Sequence, residues 1–401
     1  MQKNILLLTP IYPASDLPYN TPVVHYFTKE WAKMGYNVHV IHYLVNFPKI
    51  VHLLARPFHA YLESKFASVV RYTQAKEKEY DWEGVHVIRI PLLKYAPHIR
   101  YKQRQIDQAY NRTIEYCENK GVKPDVIISH WVNPQYEIMG RLKIYFNVST
   151  CFICHDDGTD LKTIYSKEAD QYIQSTDVFG YRSDYIKRKF ENAFNVKSRS
   201  FMCYSGIPER YIEDIGCISR DFKDVRNFIF VGTFIKRKYP AELLLALKRA
   251  FEDKPFQMSY VGMGREESLI KKYASKLDAE QKTVLLGRVK RDDVVKLLDA
   301  NDVFVMNSKS ETFGLVYLEA MARGCITIAS YKEGFDGIIK HGVNGFLCEA
   351  GDIESLADVI STIRSLSPKE LKKISFNAIQ TAKELTDTKV AKYYIESVLG
   401  L

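Results

Sequence analysis

Asn307-Ser-Lys-Ser-Glu-Thr-Phe-Gly-Leu-Val-Tyr-Leu-Glu-Ala-Met-Ala-Arg-Gly324 lies between two apolar runs, Asp302-Val-Phe-Val-Met306 and Cys325-Ile-Thr-Ile-Ala329. Both runs have strand length. Between them, Gly314 to Arg323 reads as a helix, with Thr312 available as N-cap and Gly324 at the C-terminal stop. Strand, helix and strand make a βαβ unit, whose ligand crevice lies at the carboxyl ends of the strands. Glu311 falls in the loop at that end, and Glu319 sits on the helix eight residues later.

The loop has a definite chemistry. The N–H groups of Phe313, Gly314 and Leu315 open the helix, and helix N-termini bind anions such as phosphate. Gly314 carries no Cβ, so a ligand can approach the backbone closely. A carboxylate beside a phosphate site is repelled by the phosphate, so Glu311 makes sense there as an acceptor for hydroxyl groups. Phosphate plus polyol is a nucleotide sugar. A solvated loop glutamate and a surface helix glutamate would give the same spacing, which by itself is weak.

The side chains around that spacing are more specific. Ser310-Glu311-Thr312-Phe313-Gly314-Leu315, then Glu319-Ala320-Met321-Ala322 and Gly324, resemble the Glu-x7-Glu signature of retaining glycosyltransferases of family 4. The resemblance implies the α/β GT-B fold, two doubly wound Rossmann-like domains facing across a cleft.

The rest of the chain is consistent with that size and class. Its 401 residues suffice for two or three domains, and 46% hydrophobic with 26% charged residues is ordinary globular composition. No apolar run approaches the roughly 18 to 20 residues of a membrane span. Met1-Gln-Lys-Asn followed by Ile5–Leu8 reads as a first strand rather than a signal-peptide core, so a cytoplasmic chain is expected. Seven scattered cysteines form no disulfide framework. Cys151-Phe-Ile-Cys154-His155 fits a haem-attachment pattern, but it lies in a strand-like run where residues three apart point to opposite faces. Net charge is +9, and residues 1–200 carry 27 Lys and Arg against 20 Asp and Glu, compared with 30 against 28 in residues 201–401. A basic first half favours an anionic partner, with a solvated face as the plain alternative.

Repeated strand–helix alternation predicts a doubly wound parallel sheet in each half. Strands are expected at 4–9, 37–43, 85–90, 125–129, 148–154, 177–181 and 199–204. The second set is expected at 227–231, 256–261, 283–286, 302–306, 325–329 and 345–348. Ser205-Gly206-Ile207-Pro208 marks a hinge. The domains are therefore read as 1–205, binding the acceptor, and 206–386, binding the nucleotide sugar, with the helix in 387–401 returning to the first. Leu44 to Tyr80 breaks the rhythm: apolar residues at 53, 54, 58, 61 and 62 recur at helical spacing among basic and aromatic residues. Such a segment suits a membrane interface, and a helix packing on its own domain is the favoured reading. Lys76-Glu-Lys-Glu79 reads as a solvated turn.

Further site residues follow from physics and from the resemblance. Gly232-Thr-Phe-Ile-Lys236-Arg237-Lys238-Tyr-Pro240 follows a strand and precedes a helix, and cations at such a place suit a diphosphate. The family commonly shows Gly-Arg and then Arg-Lys-Gly here. Thr233 replaces the first arginine and Tyr239 the final glycine, leaving Arg237 and Lys238 as the cations. Val261-Gly262-Met-Gly264 resembles the family's Gly-x-Gly turn toward the nucleotide. The resemblance brings Arg288 and Val289 to the base. Gly334-Phe-Asp-Gly337 lacks the family's usual glutamate, for which Glu333 or Asp336 would stand in. His155, at a strand's carboxyl end, matches the family histidine that contacts the donor sugar, with Asp156 and Asp157 as further acceptor contacts. In the first loop, Asn20 and Thr21 stand where the family has Gly-Gly.

No Asp-x-Asp pair occurs, so neither metal nor cofactor is expected. The expected enzyme is a metal-independent, retaining hexosyltransferase using a nucleotide-diphosphate sugar, UDP- or GDP-linked. Its acceptor would be a saccharide or lipid-linked saccharide in surface-polysaccharide biosynthesis, with contact at the inner face of a membrane but no nucleic acid. In this reading Glu311, His155, Lys238 and Arg237 carry the chemistry. Glu319, Phe313, Gly314, Leu315, Gly232, Thr233, Gly262, Arg288 and Val289 bind the nucleotide. Other readings are a GT-B epimerase or phosphorylase, or a basic membrane- or nucleic-acid-binding protein.

Overall fold

The structure, a computed structural model, describes residues 2–17, 22–54, 71–96, 99–213, 220–252, 254–279 and 282–401. The chain forms two compact units. The first comprises Met1–Arg182, Ile186–Cys203 and Val390–Leu401, and the second Ser183–Tyr185 and Tyr204–Lys389.

The first unit is built on an eight-stranded sheet in the order β3-β4-β2-β1-β5-β6-β7-β8. Its strands are β1 Asn4–Thr9, β2 Asn37–Asn46, β3 Lys78–Trp82, β4 Val85–Leu93, β5 Val126–His130, β6 Ser149–Cys154, β7 Val178–Tyr181 and β8 Arg199–Met202. Every pairing is parallel except β3 with β4. Ile5 to Leu8 are fully buried, as a central parallel strand covered on both faces requires. The chain runs from β1 outward to β2 and β4, then returns to place β5 on the other side of β1. That reversal is a topological switch point, where open α/β sheets hold ligands.

The second unit repeats the plan with six parallel strands in the order β11-β10-β9-β12-β13-β14. These are β9 Asn227–Val231, β10 Gln257–Val261, β11 Thr283–Leu285, β12 Val303–Val305, β13 Ile326–Ser330 and β14 Phe346–Cys348. Phe228, Phe230, Val303, Val305, Ile326 and Ile328 belong to one continuous core. Here the direction reverses between β9 and β12. After β14 come two helices with recognisable start signals. Asp352 accepts the Ser355 N–H at 2.9 Å, and Ser367 with Glu370 forms a capping box ahead of Pro368.

Several expectations need correcting. Lys78 and Glu79 are not a solvated turn; they open β3, an antiparallel edge strand paired with β4. The strand expected at 85–90 does not stop there: β4 runs on through Pro91 to Leu93 beside β2. Beyond Arg89 the strand has no β3 residue opposite, so a missing N–H is tolerated on that side. Short helices at Thr159–Tyr165 and Ala169–Ser175 had no sequence expectation. Thr312 does not cap the helix after β12, which runs Leu315–Ala322 with Gly314 as N-cap at φ +83°. Lys236–Lys238 lie ahead of the helix Glu242–Phe251, as expected, and form a 3-10 turn there. Asn20, Thr21 and the 55–70 part of the amphipathic segment lie outside the described residues.

Candidate active site

In the second unit the switch point brings two loops together, one after β9 and one after β12. The first carries Arg237 and Lys238, the second Glu311. Arg237 Nη1 donates to the carbonyls of Ser310 at 3.1 Å and Lys309 at 3.3 Å, and the Arg237 carbonyl accepts the Lys309 N–H at 2.7 Å. Arg237 Nη1 and Lys238 Nζ each lie 3.4 Å from Glu311 Oε2. Lys238 and Glu311 are largely enclosed, each side chain 13% exposed, while Arg237 is 43% exposed. Ser308 Oγ also donates to Glu311 Oε2, at 3.4 Å. All three contacts to this oxygen are long, which leaves its lone pairs open to a better donor.

The loop is held from below. Glu333 Oε2 accepts the Glu311 N–H at 2.9 Å, so Glu333 takes the turn position and Asp336 instead accepts from Lys332 N. Burial pushes the Glu333 carboxyl up, against the pull of the Glu311 and Ser310 N–H groups. Tyr317 Oη donates to the Met306 carbonyl at 2.6 Å and lies 3.1 Å from Ser308 Oγ. Gly314 is required here. Its φ is positive, and a Cβ would come 2.4 Å from the Tyr317 ring. Phe313 is buried against Phe335 and Tyr204, so its ring belongs to the core of this unit.

Glu319 is 6% exposed, and its Oε1 accepts from Arg291 Nε at 2.7 Å. Burial pushes its carboxyl up and the guanidinium opposes this. The turns after β10 and β11 are tied together, since Gly262 N donates to the Gly287 carbonyl at 2.8 Å. A Cβ on Gly262 would sit 1.9 Å from the Gly232 carbonyl oxygen, so only glycine allows this approach of three neighbouring strand ends. Thr233 and Arg288 are exposed there, and Val289 packs partly on the core.

In the first unit His155 follows β6 directly. Its ring stacks on Trp131, with centroids 3.9 Å apart and planes 9° from parallel. Its Nε2 lies 2.9 Å from Nδ1 of the fully buried His130, at the end of β5. Trp131 holds φ +63°, a left-handed conformation rare for a bulky residue. Burial pushes the Asp156 carboxyl to about 6, with Asp160 adding to the effect. Cys151 and Cys154 are both buried in β6, which leaves no exposed thiol for haem attachment. Among the described residues no group of three or more His, Cys, Asp or Glu is placed to hold a metal ion.

Residues 218–381 match the model of the family described as Glycosyl transferases group 1. An uncharacterized glycosyltransferase of Methanocaldococcus jannaschii is 26% identical over 310 residues, covering 76% of this chain and 81% of the relative. The chain is a glycosyltransferase with the GT-B fold. The N-acetyl-alpha-D-glucosaminyl L-malate synthase of Bacillus anthracis is 34% identical over 173 residues, which is 42% of this chain and 44% of the synthase. Anabaena Alr3699/HepE, solved in complex with UDP, aligns over 100% of both chains with a TM-score of 0.68 at 16% identity.

Of the residues named from sequence, Arg237, Lys238, Glu311, Gly232 and the Phe313–Leu315 turn meet at one switch point. Gly262, Arg288 and Val289 lie at the neighbouring strand ends, and His155 lies in the first unit. Arg291, Ser308, Trp131, His130 and Tyr394 were missed. Ser308 stands inside the motif stretch itself. Arg291 had only its place at a helix start, three residues after Arg288.

Proposed function

We propose that the chain is a retaining, metal-independent glycosyltransferase of family 4. It moves a hexosyl group from a nucleotide-diphosphate sugar to a saccharide or lipid-linked saccharide during surface-polysaccharide assembly. The observation that carries this reading is the meeting of Arg237, Lys238 and Glu311 at the β9–β12 switch point. Two cations and a turn of backbone amides suit a diphosphate, and a carboxylate with loosely made contacts suits sugar hydroxyls. Glu319 would hold the ribose hydroxyls, and Arg288 and Val289 would border the base. In this reading residues 206–386 bind the donor and residues 1–205 the acceptor. The excess of positive charge in residues 1–200 supports an anionic, phosphate-bearing acceptor.

In the proposed transfer the acceptor oxygen bonds to the anomeric carbon from the face the diphosphate leaves. The bond from that carbon to the phosphate oxygen breaks, and the acceptor proton passes to the departing phosphate. Arg237, Lys238 and the Gly314 turn stabilise the charge that grows there, as fixed donors that need no reorganisation. His155 contacts the donor sugar.

A thermal-shift panel with UDP, GDP, ADP and CMP, each with and without EDTA, tests the reading. UDP is the first choice, because HepE of the same fold was solved with UDP. An upward shift with one nucleoside diphosphate, unchanged by EDTA, is expected. No shift with any of the four would overturn it.

A further inference from the structure

We infer that Tyr394 is a positioning residue that, through His130, fixes the proton of His155 on Nδ1. Three groups form a chain inside the first unit. Tyr394 Oη lies 3.1 Å from His130 Nε2, and His130 Nδ1 lies 2.9 Å from His155 Nε2. Tyr394 is 1% exposed and His130 fully buried. The tyrosine sits on the helix Asp387–Leu399, locked edge-on against Phe27 at 5.1 Å and Trp31 at 4.9 Å. Trp31 Nε1 in turn donates to the Ala391 carbonyl at 2.8 Å, which fixes the helix that carries the tyrosine.

Hydrogen-bond satisfaction decides the direction. The Tyr394 hydroxyl has one hydrogen-bond partner among the described residues, His130 Nε2. If it accepted from an Nε2–H, its own buried O–H would have no acceptor, at a cost of about 1–3 kcal/mol. Tyr394 therefore donates, and Nε2 of His130 is bare. Burial and the nearby Arg182 guanidinium hold both imidazoles well below their ordinary range, so both rings are neutral. A neutral ring bare at Nε2 carries its proton on Nδ1. His130 Nδ1–H then donates to His155 Nε2, and His155 carries its own proton on Nδ1. Stacking on Trp131 keeps the His155 ring in the plane this requires.

The bearing on catalysis rests on the reading of His155 as a contact to the donor sugar. With its proton on Nδ1 and its Nε2 occupied by the His130 N–H, His155 has no bare ring nitrogen with which to take a proton. It is thereby excluded as the general base of the transfer.

The test is nitrogen NMR on the full chain labelled with 15N-histidine, reading two-bond proton–nitrogen correlations between pH 6 and 8. Loss of one set of peaks in His155→Gln identifies His155. A protonated Nδ1 and a bare Nε2 are expected in the native chain, and a protonated Nε2 would overturn the inference. In Tyr394→Phe the single tautomer should become a mixture, and an unchanged pattern would also overturn it. The native spectrum decides alone should that variant fail to fold. If the native tautomer is as assigned but His155→Gln transfers sugar normally, the sugar-contact reading fails and the positioning role of Tyr394 stands.

Discussion

Arg291 Nε donates to Glu319 Oε1 across 2.7 Å, joining the first residue of one helix to the middle of another. The carboxylate is buried and the guanidinium partly so, and removing one partner leaves the other charge uncompensated. Arg291→Met should therefore cost about 2 kcal/mol in urea unfolding. Adding Glu319→Gln should recover much of that loss, because the orphaned charge is gone. Equal loss in the single and double variants would count against the pairing as the cause.

Lys238 is the more enclosed of the two cations facing Glu311. A charge in such a place acts more strongly on a growing phosphate charge than an exposed one. Lys238→Ala should lower kcat about 100-fold, a typical loss for one such donor, and Arg237→Ala less. Steady-state kinetics on both variants measures this order.

Gly314→Ala would place a methyl group 2.4 Å from the Tyr317 ring, in a backbone conformation unsuited to alanine. About 2 kcal/mol of destabilisation is expected, with loss of nucleotide binding as the turn shifts. Calorimetric titration with the nucleotide found in the thermal-shift panel would detect it.

Glu333 supports Glu311 through its backbone N–H rather than its charge. Since burial already pushes its carboxyl up, Glu333→Gln should keep near-native KM for the donor. Glu333→Ala should raise that KM about tenfold, because the Glu311 N–H loses its acceptor. Similar values for the two variants would show that the acceptor oxygen does not matter.

Asp156 supplies a pH signature. Its folded-state value of about 6 lies above the ordinary carboxylate value. The folded form therefore binds the proton more tightly, and this contribution is complete below pH about 4 and lost as pH rises through about 6. Asp156→Asn keeps an oxygen for the Gly158 N–H and has no charge to bury. Relative to the native chain it should gain stability between pH 4 and 7, by up to about 3 kcal/mol. Melting curves across that range test the sign.

Much was legible without coordinates. Parallel strands buried on both faces are apolar runs, so β1, β9, β12 and β13 stand out from composition alone. The helix after β12 stops just before Gly324, whose φ of +70° is the ordinary glycine stop. The antiparallel β3 was illegible because an edge strand with one exposed face can be as charged as a turn. The cap at Gly314 was misread as Thr312 because a hydroxyl two residues away is a common capping signal.

Local chemistry and chain order determined the two alternating α/β halves, the loop that holds Glu311, and the cation-rich turn at Lys236–Lys238. These depend on neighbours a few residues apart, and hydrophobic period and turn chemistry report them directly. What only the tertiary structure decided lies far apart in the chain. Arg291 meets Glu319, Glu333 meets the Glu311 N–H, and Tyr394 reaches His130 across 264 residues. Such pairs are set by strand order, which places the carboxyl ends of β9 and β12, or of β5 and β6, side by side. The direction of a proton in the His155 chain needs one thing more: the full accounting of buried donors and acceptors, a property of the packed interior and of no single segment.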